Sequence, residues 1–498
     1  MEPSLFRDQH NTLAETAPVI VVFRWVGSAF GARALALNDQ TGGALGRACA
    51  AVRGDFASGR IVDLLAPSGL RARRVIVLYL GRPEALTAQS AVRAGGALAD
   101  YLESVGETEA ALLAEAFDDC TLGAADLMAH LMLGVRLRSY RFAMMPKTVL
   151  HKDIALTLVC DDLDTAPLRR MAAVAEGVCF ARTLINLPAS HLHPENFANH
   201  LELLREAGIG IEVLEPEDLA RLGMNAILAV GNGSDRKPRV IVLTWAGVGG
   251  APLALVGKGI CFDAGGLAIK TGPQMFGMKG DMGGAAAVIG TMLALARQDA
   301  AAHVVGILGV AENMLSGASY KPGDVVTTMS GRTVEVFDTD CEGRMVLADV
   351  LHYAATRFQP RAIVDLATLT YSVMRGLGHV FAGLFATDNH LADGLLAAGE
   401  ATGERLWRLP LDRAYDESLV SPIADLRQHG RDLEDGDAPV AAAFLRHFAE
   451  GRPWVHLDIA GKELIDEDRP LARAGGQGFG VRLLEEWITG LGPGLERL

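Results

Sequence analysis

The sequence predicts an α/β protein of two domains, and three observations carry that expectation. Apolar runs of strand length alternate with amphipathic stretches of helical length, the pattern of a mostly parallel sheet covered by helices. Half of the residues are hydrophobic while aromatics make up 6%, a composition suited to cores of Ala, Val, Leu and Ile. The 498 residues exceed one ordinary domain, since roughly 100–200 residues per domain is usual.

The elements follow in order. Val19–Phe23, Val75–Leu80 and Ile154–Val159 read as buried strands, and Leu127–Leu137 reads as a helix. The polar, acidic segment Asp161–Pro167 marks a boundary, giving domains over residues 1–163 and 164–498. A helical pattern, Leu168–Leu187, connects them and stops at Pro188. In the second domain the expected strands are Ile211–Leu214, Val240–Thr244, Leu253–Val256, Val304–Val310, Thr333–Phe337, Ile363–Leu366 and Trp454–Leu457. The expected helices are Glu195–Ala207, Gly284–Arg297, Arg344–Thr356, Leu391–Ala401 and Gly480–Thr489. The tail from Gly490 is expected to be loose.

Composition narrows the function. The net charge of −14 gives no general attraction to nucleic acid, so a nucleic-acid partner is not expected. Six cysteines stand apart, with no CxxC pair, which reads as reduced thiols in a cytoplasmic protein. Met1–Thr12 is polar and lacks the apolar stretch of a signal peptide. No apolar run reaches the roughly 18 residues of a transmembrane helix, so no membrane association is expected.

Two segments concentrate the chemistry. Val256–Val288 holds Lys258, Asp263, Lys270, Lys279 and Asp281 among many glycines, directly after an apolar strand. Val336–Asp349 holds Asp338, Asp340, Glu342 and Arg344 between a strand and a helix. Both sit where an open α/β sheet places ligands, at the carboxyl ends of strands. Converging carboxylates repel one another, and divalent cations make them tolerable together. Four carboxylates can hold two ions if some bridge, and such a pair can activate water. Each Asp taken singly is equally a helix cap or turn residue. HExxH and Cys/His zinc spacings are missing, so a metal site here is oxygen-rich, with a lysine nitrogen as a further ligand type. Gly257–Gly259 lacks the spacing of a phosphate-binding loop, no GxGxxG follows a strand, and there is no GxSxG elbow.

At these residues the chain resembles the leucyl aminopeptidase (cytosol aminopeptidase) family. The family signature NTDAEGRL corresponds to Asp338–Met345, and GKGxxFDxGGxxIK followed by MKxDMxGAA corresponds to Gly257–Lys270 and Met278–Ala286. Ala181–Ala198, Gly223–Trp245, Asp365–Thr370 and His456–Gly461 also fit. The likeness spans Asp164 to the C-terminus, and the first third carries no diagnostic motif.

The resemblance implies a macro-domain-like N-terminal domain, a catalytic α/β/α domain with a mixed, mostly parallel sheet, and a homohexamer. It implies hydrolysis of peptides from their N-termini with two divalent ions, zinc, manganese or cobalt. Asp263 and Glu342 would bridge the ions, Asp340 would complete one site, and Lys258 and Asp281 the other. Lys270 would donate to the carbonyl oxygen of the substrate. Arg344 would hold a bicarbonate ion acting as general base toward the attacking water. Met278, Asp338, Thr368, Tyr371 and Glu463 would border the substrate pocket. Four of the family's usual residues are replaced: Asn by Asp338, Ala by Cys341, Gly by Tyr371, and an apolar or aromatic residue by Glu463. These departures blunt the expected preference for leucine and leave the ligand set whole. The rival readings are a structural or regulatory relative with little turnover and, from the carboxylates alone, a two-metal phosphoesterase.

Overall fold

The computed structural model describes residues 17–54, 57–115, 122–144, 154–160, 163–430 and 436–491. Met1–Thr12, Cys120, the acidic pair Asp161 and Asp162, and the tail 492–498 lie outside the described residues. The chain divides into two compact units, Met1–Ala175 with Asp468–Arg473, and Glu176–Glu467 with Ala474–Leu498.

The first unit is built on a five-stranded sheet in the order Ile61–Leu65, Arg74–Tyr79, Val19–Arg24, Glu109–Leu113, Ala155–Val159. Only the first pairing in that order is antiparallel. Ile20, Val22, Val75, Val77, Ala111 and Leu113 pack with Leu37, Leu45 and Cys49 of the helices Ala32–Gln40 and Ala44–Ala51. Strand alternation turns Val19, Val21, Ile76 and Leu78 to the opposite face, and these too are buried. Both faces are covered, so the strands read as unbroken apolar runs.

The second unit carries an eight-stranded mixed sheet in the order Leu406–Arg408, Ala382–Ala386, Trp454–Asp458, Ala362–Ala367, Leu253–Asp263, His303–Asn313, Arg239–Ala246, Gly210–Leu214. Its centre, from Trp454–Asp458 to His303–Asn313, is parallel. Antiparallel pairings flank that centre on both sides. The helices Gly283–Arg297 and Glu342–Arg357 are buried along most of their length. Close approach of helix to sheet depends on missing side chains. A Cβ at Gly257 would stand 2.6 Å from Ala285 Cα, and one at Gly284 would stand 2.1 Å from Leu366 O. Any larger residue would push the helix, and the loop before it, away from the strand ends.

Some elements differ from the sequence expectation. The strand expected over Leu253–Val256 continues to Asp263, because the buried Lys258 within it finds carboxylate partners instead of ending the run. The strand expected to reach Phe337 stops at Glu335. Beyond it, Phe337 N and Asp338 N donate to Gln428 Oε1 at 2.9 and 3.1 Å, replacing ladder bonds. Glu195–Ala207 is a 3₁₀ turn, Phe197–Leu201, and a short helix, Glu202–Glu206. Asn196 Oδ1 accepts from His193 N at 2.9 Å, a local bond of the kind that competes with helix. The strand Ala382–Ala386 went unforeseen because AGLFA has neither β-branched residues nor polar alternation. Among the described residues no helix is long and apolar enough to cross a membrane.

Candidate metal centre

The central parallel strands end together. Asp263 closes one strand and stands in register with Asn313, the last residue of its neighbour. Ala362–Ala367 ends one residue before Thr368. Asp281 precedes the helix Gly283–Arg297, and Glu342 begins the helix Glu342–Arg357. Segments distant in sequence therefore deliver their polar side chains to one edge of the sheet.

The turn after Asp263 is made by Gly265 and Gly266, at φ 85° and 62°, a region that costs most other residues strain. It brings Gly265 N within 2.9 Å of Asp263 Oδ1. Asn313 Nδ2 donates to the same oxygen at 2.8 Å and to Thr339 O at 2.9 Å. Thr339 Oγ1 donates to Gly265 O and accepts from Ala268 N. These bonds tie the loop bearing Lys270 to the loop bearing Asp340.

One oxygen each from Asp263, Asp340 and Glu342 lies within 4.8 Å of the others. Lys270 Nζ bonds Asp263 Oδ2 at 2.5 Å and also bonds Asp340. Lys258 Nζ lies 2.8 Å from Asp281 Oδ1 and 2.7 Å from Glu342 Oε1, and donates to Thr368 O at 2.8 Å. Both carboxylate contacts are ion pairs, and Glu342 Oε1 has no hydrogen-bond partner among the described residues. Thr368 Oγ1 donates to Asp281 Oδ1 at 2.6 Å. Asp281 Oδ2 is buried with no hydrogen-bond partner among the described residues.

The charges do not balance. Asp263, Asp281, Asp340 and Glu342 face two ammonium groups, and all but Asp340 are nearly inaccessible. Burial, with repulsion from Asp263 and Glu342, pushes Asp340 up to about 7 against the pull of Lys270. Burial likewise holds Asp281 well above the usual carboxylate range, although Lys258 opposes it. Burial works against the charge on Lys258 and Lys270, yet the surrounding carboxylates outweigh it and both lie above the ordinary lysine value. A site with surplus negative charge, an orphaned carboxylate oxygen and hard oxygen donors fits divalent cations.

The other residues singled out in the sequence are placed differently. Met278 opens the 3₁₀ turn Met278–Gly280, just before Asp281, and is partly buried. Asp338 supports the loop, its Oδ1 accepting from Asp340 N at 2.9 Å. Cys341 is the residue before the helix Glu342–Arg357. Tyr371 is 41% exposed. Partial burial raises its pKa, and the charges of Lys270, Asp340, Asp263 and Asp281 all reach it. Glu463 lies over Gly283 and Gly280, where a Cβ would meet its side chain at 2.7 and 3.4 Å. Its Oε2 is buried without a partner among the described residues, and burial pushes its carboxyl up to about 7.

Arg344 is engaged by other residues of the chain. It is buried at 2% exposure, with Nη2 on Asp437 Oδ1 at 2.8 Å and Nη1 on Gln428 O at 2.9 Å. Sequence reasoning missed Asn313, Thr339, Gln428 and Asp437. Asn313 was findable as a polar residue ending a buried strand, but Gln428 and Asp437 carry no local signal because their partners lie over eighty positions away.

Residues 179–485 match the model of the cytosol aminopeptidase family, catalytic domain, and residues 19–145 match that family's N-terminal domain. The chain is 44% identical over 433 residues to the probable cytosol aminopeptidase 1 of Shewanella oneidensis, covering 86% of each. It is 41% identical over 479 residues to the probable cytosol aminopeptidase of Nitrobacter winogradskyi, covering 94% of this chain and 95% of the other. Among solved structures, the bottromycin maturation enzyme BotP in complex with Mn superposes with a TM-score of 0.83 at 35% identity, over 96% of this chain and 100% of that one. A mutant of tomato leucine aminopeptidase also gives 0.83, at 30% identity over 98% and 96%.

Proposed function

The chain belongs to the cytosol aminopeptidase family and is a metal-dependent aminopeptidase, and on that premise we propose that it cleaves N-terminal residues from peptides with two divalent ions held at the sheet edge. The observation that carries this reading is the under-neutralised cluster of Asp263, Asp281, Asp340 and Glu342 around Lys258 and Lys270. Asp263, Asp281, Asp340 and Glu342, with Lys258, would hold the ions. The ions would supply Lewis acidity, activating the attacking water and offsetting charge that develops on the scissile carbonyl. Manganese or zinc suits these donors, and a manganese complex is known for the structural neighbour BotP.

The chain's own groups do the rest. For Lys258 to bind an ion through nitrogen it must give up its proton. Lys270 stays protonated, its charge upheld by Asp263, Glu342 and Asp340 despite burial. A fixed ammonium there hydrogen-bonds the carbonyl oxygen and gains strength as that oxygen becomes anionic. Thr368 and Asn313 orient Asp281 and Asp263 through the bonds described above, as outer partners orient metal ligands elsewhere. Met278, Tyr371 and Glu463 border the pocket for the first residue of the substrate.

Bicarbonate at Arg344 has no comparable fit, because that guanidinium already holds Asp437, and no step is routed through it. We assign the chain two domains divided at 163/164 from the polar segment Asp161–Pro167 and a cytoplasmic location from its isolated cysteines, and assembly as a homohexamer by likeness to the family. Hydrolysis of leucine p-nitroanilide by the Mn²⁺-loaded protein, abolished by chelation and restored by metal, tests the activity. Failure to cleave any aminoacyl anilide under metal loading would refute it.

A further inference from the structure

Arg344 stands beside the metal centre, in the first turn of the helix that begins at Glu342. Family likeness assigns it to an external anion, yet a carboxylate of the chain already pairs with it. Asp437 Oδ1 lies 2.8 Å from Nη2. Gln428 O takes Nη1, and Gln428 is itself held in place: it is fully buried, and its side-chain amide accepts from Phe337 N and Asp338 N and donates to Cys341 O at 3.0 Å. The guanidinium is thereby clamped to the loop that carries Asp340.

A planar anion grips a guanidinium through a two-donor edge. The guanidinium has five N–H donors, of which Gln428 O takes one on Nη1 and Asp437 Oδ1 one on Nη2. The remaining edge pairs the second N–H of Nη2 with Nε, which is buried with no partner among the described residues, and it lies beside the Asp437 carboxylate. A second anion would also stand next to the Asp437 carboxylate and be repelled by it. Asp437 is the first residue of the helix Asp437–Arg446. Its side chain is 23% exposed, and His429 Nε2 lies 3.8 Å from the same Oδ1.

We propose that Asp437 is the resident anion of Arg344, so that this enzyme works without bicarbonate and excludes it from that guanidinium. Asp437 is a positioning residue: it holds Arg344, and through Arg344 and Gln428 the 338–341 loop, in the arrangement that an exogenous carboxylate-like ion would otherwise have to impose. The inference rests on the aminopeptidase reading above for its activity arm only.

The test compares the Mn²⁺-loaded wild type with Asp437→Ala and Asp437→Asn in carbon-dioxide-depleted buffer, with and without sodium bicarbonate against chloride of equal ionic strength. Leucine p-nitroanilide turnover is read in one arm and the melting temperature in the other. Wild type keeps the same kcat/KM and the same Tm in both salts. Asp437→Ala loses about 10²-fold in bicarbonate-free buffer, the scale of a misplaced catalytic constellation, and regains most of it with bicarbonate, which also raises its Tm. Asp437→Asn keeps the side-chain volume and an acceptor for Arg344, so it stays folded, and it becomes bicarbonate-responsive in both arms. Several-fold stimulation of wild type by bicarbonate, with a raised Tm, would overturn the proposal. So would variants that bicarbonate neither stabilises nor rescues, because a purely structural Asp437 leaves no anion-dependent effect. Absence of turnover in every sample would refute the aminopeptidase reading, while the melting arm would still decide whether Asp437 bars the anion.

Discussion

Asp365 and Asp458 are as deeply buried in the eight-stranded sheet as Asp263 and Asp281, yet the two groups of carboxylates are satisfied in opposite ways. Asp365 accepts from Trp454 Nε1 at 2.6 Å and pairs with His456 Nδ1 at 2.5 Å. Asp458 accepts from Leu369 N and Ala460 N at 3.2 Å and from Thr370 Oγ1 at 2.6 Å. Those bonds link neighbouring strands and the turn after Ala367. At the sheet edge, by contrast, Asp263 and Asp340 share one ammonium, Asp281 Oδ2 has no partner among the described residues, and negative charge is left over. Burial alone therefore does not mark a site. A satisfied carboxylate holds the fold, and an unsatisfied cluster awaits a cation.

The sharpest way to break this contrast is to remove one member of the edge cluster. Glu342→Ala should cut turnover by about 10³-fold or more, since water activation and charge stabilisation are lost together, and metal content should drop with it. Full metal and normal turnover in the Glu342→Ala variant would end the two-ion account. Lys270→Ala comes next, with kcat lowered by about 10²–10³ and KM little changed, because its bond strengthens only as the oxyanion forms. A large KM effect at constant kcat would reduce Lys270 to substrate binding.

Asp458→Ala probes the satisfied group. It strands buried donors, each worth about 1–3 kcal/mol, so Tm should fall while bound metal per folded chain stays the same. Loss of metal without loss of stability would erase the distinction between the two groups.

Smaller effects concern Glu463, which is partly buried and, like Asp281, has one carboxylate oxygen with no partner among the described residues. In the fold it keeps its proton to about 7, whereas an unfolded glutamate releases it near about 4.3. The folded state therefore binds more protons between these values, and stability from this group, complete at acidic pH, is lost as pH rises through about 7. Glu463→Gln should lack that component, so its Tm should gain on wild type as pH rises from about 5 to about 8; parallel curves would show that Glu463 titrates normally. The same side chain, with Tyr371, should blunt the preference for leucine, since burying leucine gains only about 1.5–3 kcal/mol and a nearby desolvated carboxyl offsets part of it. Glu463→Met should raise kcat/KM for leucine relative to lysine or alanine amides. An unchanged panel would place Glu463 outside the pocket.

Much of this was legible in the sequence, for physical reasons. The strands Val19–Arg24, Arg74–Tyr79 and Ala362–Ala367 read clearly because both faces are buried and nearly every residue is apolar or paired. The six charged residues of the cluster stood out because charge among glycines after a buried strand has few other uses. The continuation of Leu253–Asp263 past Lys258 was hidden, since a lysine ends a buried strand unless distant carboxylates receive it. The Arg344–Asp437 pair was hidden for the same reason: it joins the starts of two helices across 93 positions, and no periodicity reports on such a contact.

The edge cluster is short of positive charge, and the proposed function has two divalent ions supply what it lacks. Titrating the metal-free chain with Mn²⁺, while following bound ion and leucine p-nitroanilide turnover together, tests this most directly. Activity should rise until two equivalents per chain are bound and then level off. Full turnover with a single bound equivalent, or with none, would contradict the account.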